Sequence, residues 1–586
     1  MPMFNNYDIV EMPLSLKRNR TMVEEFLAKS DLRLDDMDYY AAVVDRESYK
    51  MLAGGGFKDD IIKCIAVDDS LRGTGMSQQL ISHLISQMAS LGHNNVKVFT
   101  KPGNADIFHS MGFKTIGESG KALFLENGLD GISSYVKYLN FLKKSGKNGL
   151  IVMNANPFTL GHQYLVEQAA KQVDNLYVIV VKEDKSAFTS SERYSMVKDG
   201  CRHFNNVTVC QGSSYSISAA TFPSYFIKKL DDAATAQIEL DLDVMARHIA
   251  PALDVTVRFV GTEPTDELTR QYNKVMKEML PSRGIDVVEI PRKEQDDVAI
   301  SGSVVRQLLC KGELPEAAAL VPPTTLPYLV AWTACDTLEQ ELNLTPKPGL
   351  VDNHDNGAHL DMDYNIMHQS IGALRPFFVR LALMGFNNLS LNPKELQQTG
   401  IEAENAMLET TGGINTHRGA LFSMGLAVVT ACNVLGLGVG QDFVDHWSAT
   451  VAGMASLMPG GNNTHGASIR KQHRVTSALD LARNGYAPLL SSWLPFYCDH
   501  KEEDMAKHKT LLLIMSELDD TNVIHRVGYE KAQQVKRDAR HLLENFSIDG
   551  LEQMNRRFID ENISPGGAAD MLSLTLFLST FFKKEQ

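Results

Sequence analysis

The chain has 586 residues, with 57 Lys and Arg against 71 Asp and Glu, for a net charge of −14. Hydrophobic residues make up 44% and charged residues 22%, a globular balance that excludes global disorder; net acidity argues against general nucleic-acid binding, which needs a basic surface. At about 100–200 residues per domain, the length predicts about three to five domains.

The opening segment MPMFNNYDIVEMPL places no basic stretch before an apolar core, so no signal peptide is expected. The seven cysteines, at 64, 201, 210, 310, 335, 432 and 498, show neither CxxC nor paired spacing. That usage predicts a cytoplasmic chain without a disulfide framework.

Residues 1–145 read as mixed α/β. A β-rich run from Tyr39 to Val44 leads to three glycines at 54–56, expected to form a turn. Ile61 to Val67 is the next strand, DDSLRGTG follows it, and an apolar-periodic helix runs from Met76 to Ala89. Val96 to Thr100 is a further strand. In the turn Arg72-Gly73-Thr74-Gly75, small residues let backbone N–H groups approach an anion, and the helix start favours it. Together with Asn104 to Phe113 (NADIFHSMGF), this segment resembles the acetyl-CoA-binding core of the GNAT acyltransferases. In that family the R-x-x-G-x-[GA] turn cradles the CoA pyrophosphate; Ser77 takes the last position here. The resemblance implies that Arg72, Gly73 and Gly75 hold a CoA-like arm.

Residues 148–320 alternate strand and helix. Apolar runs at 149–153, 176–181, 207–210, 255–260 and 285–290, with helical patterns between most of them, predict a parallel, doubly wound sheet. After the first run comes Asn154-Ala-Asn-Pro-Phe-Thr-Leu-Gly-His162. Pro157 sets a turn, Gly161 allows close approach, and His162 falls in the first helical turn, suited to a developing phosphate charge. Much later, Ile300-Ser-Gly-Ser-Val-Val-Arg306 opens another helix. This pair resembles the HxGH nucleotidyltransferases and their ISSxxxR-like second signature, with Thr159 at the first His position. The resemblance implies attack on the ATP α-phosphate, with Thr159 and His162 as catalytic contacts. It also implies ATP binding by Asn156, Gly161, Ser301, Ser303 and Arg306. With Phe188 to Val197 (FTSSERYSMV) and Phe259 to Pro264, residues 1–325 resemble the citrate lyase ligases. That family adenylates acetate with ATP and passes the acetyl group to the prosthetic thiol of the citrate lyase acyl carrier subunit. Arg193 and Arg292 are the basic residues expected near substrate, Arg193 as an ATP contact.

The prolines of Val321 to Pro327 mark an expected boundary. Residues 328–586 lack strand-like alternation and predict an all-α domain. The uncharged stretch from Gly419 to Gln441 is long enough to span a bilayer, but its glycines and scattered polar residues predict a buried core helix instead.

Four polar, Gly-punctuated clusters stand out from this helical background: Lys347 to Asp363, Gly412 to Gly419, Leu518 to His525, and Ser564 to Asp570. Unpaired carboxylates are costly to bury, whereas Mg²⁺ and a polyphosphate would give them partners. Asp355, Asp519, Asp520 and Asn522 are the candidate metal ligands. The strings KPGLVD, NGAHLDMD, GGINTHRGA, LDDTNVIHR and SPGGAADML, with the less regular Gly460 to His465, resemble triphosphoribosyl-dephospho-CoA synthase. That family joins ATP to dephospho-CoA with loss of adenine. The resemblance implies ATP binding by Lys347 and catalytic roles for Asp361, Asp363, Asp519 and Asp520. Asp361 or Asp363 would stabilise an oxocarbenium-like centre or take the hydroxyl proton.

The two resemblances converge on one system, in which one half makes the precursor of a CoA-like arm and the other acetylates the finished arm. The expected architecture is a multidomain chain: a GNAT-like α/β domain at 1–145, a doubly wound nucleotidyltransferase domain at 148–320 and an all-α domain at 328–586. The expected small molecules are acetate, ATP, dephospho-CoA and Mg²⁺, and the expected partner is the acyl carrier subunit, with neither nucleic acid nor membrane. The alternative is a pantetheine-type adenylyltransferase fused to a nucleoside-processing helical domain.

Overall fold

Alternating apolar residues in the first part of the chain build a seven-stranded sheet. Its strands are β1 (Tyr7–Glu11), β2 (Tyr39–Asp45), β3 (Met51–Lys58), β4 (Ile61–Val67), β5 (Val96–Thr100), β6 (Lys114–Glu118) and β7 (Leu123–Asn127), in the order β1-β2-β3-β4-β5-β7-β6. In this computed structural model the described residues are 7–182, 186–217, 230–263, 266–295, 298–388, 390–438, 442–458 and 475–582. The chain forms two compact units, Met1–Ala155 with Gly161–Ile300, and Asn156–Leu160 with Ser301–Gln586.

Every neighbouring pair in the first sheet is antiparallel except β4 and β5, which run parallel and pair only at Ile61–Lys97 and Ile62–Val98. The three glycines at 54–56 are not a turn. They lie inside β3, where a Cβ at Gly54 would strike the Tyr40 ring and one at Gly56 the Tyr39 carbonyl oxygen. Glycine here answers to close packing within a sheet, which a turn signal in the sequence does not distinguish.

The second sheet of the first unit contains β8 (Asn148–Met153), β9 (Asn175–Val180), β10 (Val207–Gln211), β11 (Val255–Gly261) and β12 (Asp286–Ile290), in the order β10-β9-β8-β11-β12. All neighbours are parallel. The five expected runs are its five strands, and the near-continuous burial of the three inner ones, β9, β8 and β11, matches a sheet covered on both faces. The strand order reverses direction at β8, so the segment leaving its carboxyl end stands where open α/β sheets bind ligands.

The second unit is helical. Its central helix, Arg418–Gly436, packs against Tyr364–Asn387 on one side and Gly566–Ser579 on another. It is long and apolar enough to cross a membrane, yet 78% of its apolar window is buried inside the unit. Its polar residues are satisfied locally: Thr430 donates to the Leu426 carbonyl at 2.7 Å, and Asn433 to the Asn388 carbonyl at 2.7 Å. The Tyr364–Asn387 helix comes so close that a Cβ on Gly385 would overlap the Val429 carbonyl oxygen.

That contact separates two glycines of one helix. Gly385→Ala should lower the unfolding free energy of the helical unit in urea by about 1–3 kcal/mol. Gly372→Ala, where nothing lies within 4 Å of the added Cβ, should be neutral or stabilising by up to about 1 kcal/mol.

Candidate functional sites

The segment after β8 is fixed from beneath by Arg193. Its helix, Ser190–Cys201, begins with a capping box between Thr189 and Glu192, which accounts for the string FTSSERYSMV. The Arg193 side chain is fully buried. Its guanidinium donates to the carbonyls of Asn154 (2.8 Å), Val181 (2.8 Å) and Phe188 (3.1 Å), and to Asn154 Oδ1 (2.6 Å). Arg193 therefore shapes the Asn154 turn rather than reaching out of it. Ala155 holds a left-handed backbone at φ 50°, and Thr159 is fully buried. His162 lies in the first turn of the helix Leu160–Ala170. Burial, aided by the positive charge of Arg292, pushes its imidazole down to about 4. Arg292 itself donates to the Thr262 carbonyl at 2.6 Å and pairs with Glu263.

In the second unit, the segment Asn156–Leu160 meets the start of the helix Gly302–Cys310. Ser301 caps that helix by accepting from Val304 N at 3.3 Å, and its hydroxyl lies 2.9 Å from that of Ser303. Arg306 donates to the Asn156 carbonyl, and a side chain at Gly302 would run into the same oxygen. The two motif segments thus dock backbone to backbone.

The turn at 72–75 stands open. Gly73 and Gly75 have φ of 76° and 86°, with nothing within 4 Å of a Cβ on either. Gly75 precedes the helix Met76–Ser90, and Arg72 pairs with Asp69 at 2.7 Å on the surface.

The helical unit encloses a cavity of about 910 Å³. Five separated strings reach its wall: Lys347 from KPGLVD, His359 and Asp361 from NGAHLDMD, His417 and Arg418 from GGINTHRGA, Asp519, Asp520 and Asn522 from LDDTNVIHR, and Asp570 from SPGGAADML. Lys347, almost fully buried, pairs with Glu341 at 2.6 Å. Asp520 caps the helix Thr521–Val527 by accepting from Asn522 N and Val523 N, and its other oxygen accepts from Ala568 N at 2.9 Å. It thereby ties two of the strings together. Asp519 pairs with Lys536 at 2.9 Å. His359 meets Ser564 Oγ at 2.9 Å and Arg526 at 3.1 Å. A Cβ at Gly419 would overlap the Asp570 carboxylate, which also accepts from Ala420 N.

Two of the expected residues support this wall without lining it. Asp363 caps the helix Tyr364–Asn387 through Ile366 N. Asp355 accepts from Gly357 N at 2.7 Å and from Asn555 at 2.9 Å, holding its loop. Gly460 to His465 lies outside the described residues. Glu341, His417, Arg526 and Asp570 line the cavity although their type and spacing did not single them out. Their common signal was membership of, or closeness to, the Gly-punctuated strings.

Desolvation dominates the electrostatics. Burial raises the carboxyls of Asp520 and Asp570, and the charge of Asp520 adds to the effect on Asp570. His359 and His417 are both held down to about 4 by burial, assisted by Arg526 and Lys347 respectively. Among the described residues no group of three or more His, Cys, Asp or Glu side chains forms a self-contained metal site. Asp519, Asp520 and Asn522 bring to the cavity wall side-chain oxygens of the kind hard cations take.

The sign of the pH effect follows. Unfolded, His417 would take its proton near the ordinary value of 6.5; folded, only near 4. Between those values the unfolded state holds more protons, so stability falls on acidification. Relative to His417→Gln, the wild type should lose up to about 1.4 kcal/mol per pH unit across this window in denaturant melts. Its imidazole should show no NMR titration between pH 8 and about 5.5.

Residues 148–329 match the family described as citrate lyase ligase C-terminal domain, and residues 328–586 match ATP:dephospho-CoA triphosphoribosyl transferase. A citrate lyase ligase of Klebsiella pneumoniae is 40% identical over 320 residues, covering 54% of this chain and 93% of that protein. A probable 2-(5''-triphosphoribosyl)-3'-dephosphocoenzyme-A synthase of Streptococcus mutans is 34% identical over 281 residues, covering 43% of this chain and 95% of that protein. The corresponding synthase of Haemophilus ducreyi is 33% identical, with 42% and 87% covered. Each relative is spanned nearly whole by one half of the chain, which therefore belongs to both families, as a citrate lyase ligase joined to a triphosphoribosyl-dephospho-CoA synthase.

Proposed function

We propose that the chain matures citrate lyase through two reactions. The first half activates acetate with ATP as acetyl-AMP, releasing pyrophosphate, and transfers the acetyl group to the prosthetic thiol of the acyl carrier subunit, releasing AMP. The second half joins ATP to dephospho-CoA through the 2'-hydroxyl, releasing adenine and leaving the triphosphate intact. The observation that carries this reading is the cavity of about 910 Å³ into which five distant polar strings converge; in the first unit, separately, a parallel sheet sends the chain out from its switch-point strand into the NPFTLGH segment. The relatives favour this pair of reactions over a pantetheine-type adenylyltransferase.

We read residues 148–320 as the HxGH nucleotidyltransferase domain. Asn156, Thr159, Gly161 and His162 are assigned to the nucleotide, and Ser301, Ser303 and Arg306 to its phosphates. Arg193 is a positioning residue, because its donors are taken by the turn it supports. A neutral His162 donates one hydrogen bond to a phosphate oxygen without adding an ion to a buried site. In such a transfer, alignment and charge stabilisation supply most of the rate.

In the helical half, Lys347, Arg418 and Arg526 place cations around the cavity for the triphosphate. Mg²⁺, held by Asp519 and Asp520 with Asn522 at hand, would neutralise phosphate charge. Asp361, two-thirds exposed at the cavity mouth, is placed to stabilise positive charge developing on the ribose. Asp355 and Asp363 act by shaping their loop and helix.

Residues 1–145 are read as a GNAT-like module that docks the carrier's arm. The parallel β4–β5 pair in an otherwise antiparallel sheet supports this, as does the open glycine turn next to it. The arm carries a pyrophosphate, which that turn suits.

Each half is tested separately. His162→Ala should cut carrier acetylation by about 10²-fold or more and leave adenine release from Mg-ATP plus dephospho-CoA unchanged. Asp519→Asn should do the reverse. Near-normal turnover in either folded variant, or joint loss of both activities, would overturn the assignment. For the docking module, Gly75→Asp should raise the KM for the carrier while sparing acetyl-AMP formation; acetyl transfer from acetyl-CoA alone would reject that role.

A further inference from the structure

Among the described residues that line the helical cavity, His417 carries a buried ring nitrogen, Nε2, with no hydrogen-bond partner. The residue is only 4% exposed. Its other nitrogen, Nδ1, lies 2.8 Å from Ser370 Oγ, which lies 2.7 Å from Thr416 Oγ1. Ser370, itself held by Thr416, fixes the ring from the Nδ1 side, which leaves Nε2 without a partner on a residue of the cavity wall. A fold that leaves such an atom unpaired in a site sized for a nucleotide has kept it for a ligand.

The surroundings limit what that atom can do. Lys347, paired with Glu341, bears a positive charge close enough to disfavour an imidazolium, and burial acts in the same direction. A neutral imidazole is a proton acceptor and a feeble donor. His417 also immediately precedes the helix Arg418–Gly436, whose first turn contacts Asp570 across Gly419. His417 thus belongs to the string that meets Asp570 at Gly419. A bound triphosphate would add negative charge there, making the ring more basic only when substrate is present.

We propose that Nε2 of His417 takes the proton of the hydroxyl that attacks the ribose carbon. The inference rests on the triphosphoribosyl transfer read above for this half. The hydroxyl oxygen forms the new bond to C1 of the ATP ribose as the bond from C1 to adenine breaks. The bond's electron pair leaves with adenine. The proton held on Nε2 passes to the departing base, so neutral adenine leaves and the imidazole returns to its starting state. No oxidant or further reactant is required. Ser370 is a positioning residue, acting through Nδ1.

The test uses the full chain with Mg-ATP and dephospho-CoA, following free adenine. His417→Gln should lower kcat for adenine release by about 10²–10⁴-fold, with KM for ATP within about threefold and acetate-dependent AMP formation unchanged. His417→Ala should regain activity with added imidazole, in proportion to its neutral fraction. Ser370→Ala should lower kcat less than His417→Gln, without altering KM. A wild type that releases no adenine would overturn the reading of this half as a whole. A wild type that does, with a His417→Gln variant of equal kcat or a loss confined to KM, would overturn only the proton-transfer role. If His417→Gln loses its cooperative thermal unfolding, the imidazole experiment decides, and failure of rescue overturns the role.

Discussion

The helix Arg418–Gly436 sets the terms for the whole helical unit. It carries no charge after its first residue, so it must be enclosed, and the surrounding helices are the wall that encloses it. Its small residues allow backbone to meet backbone at Gly385 and at Gly436. Close approach of this kind leaves little freedom in how the helices pack, and it fixes the helix start where the cavity opens. The same element that needs most burial therefore presents the cavity with His417 and Arg418.

The first unit solves a different problem. A parallel sheet gathers the carboxyl ends of its strands on one edge, and a segment leaving the reversal strand can be polar because it caps the core instead of crossing it. Arg193 supplies the donors that such a turn lacks internally. The buried network of Arg258, Asp241 and Tyr272 belongs to the same unit, where Arg258 donates to the Phe259 carbonyl at 2.8 Å and Tyr272 to Asp241 at 2.5 Å. It lies in the body of the unit and has a structural task.

The five strands of the parallel sheet were readable because apolar-rich runs of four to six residues, most of them separated by helical patterns, leave few other outcomes. The polar strings of the helical half were readable because Gly and Asp are poor helix formers and their clustering interrupts the pattern. Two kinds of feature were not. The glycines of β3 carry a turn signal, and only Tyr39 and Tyr40 on the neighbouring strand show why they are in a sheet. Asp361 and Asp363 are two residues apart in one loop, and nothing local tells that one lines the cavity while the other caps a helix. His417 is a further case, since its role depends on Ser370 from another helix.

The contact between Gly419 and Asp570 leaves a mark on sequence drift. The carboxylate fills the volume that any side chain at 419 would need, so the two positions exchange space and cannot vary independently. Among descendants of this fold, a copy that keeps its acid at 570 is held to glycine at 419. A copy that shortens 570 can then accept alanine or serine at 419. Paired replacement at these positions would therefore mark helical domains that keep the fold but have rebuilt this part of the cavity wall, even where the remaining polar strings survive.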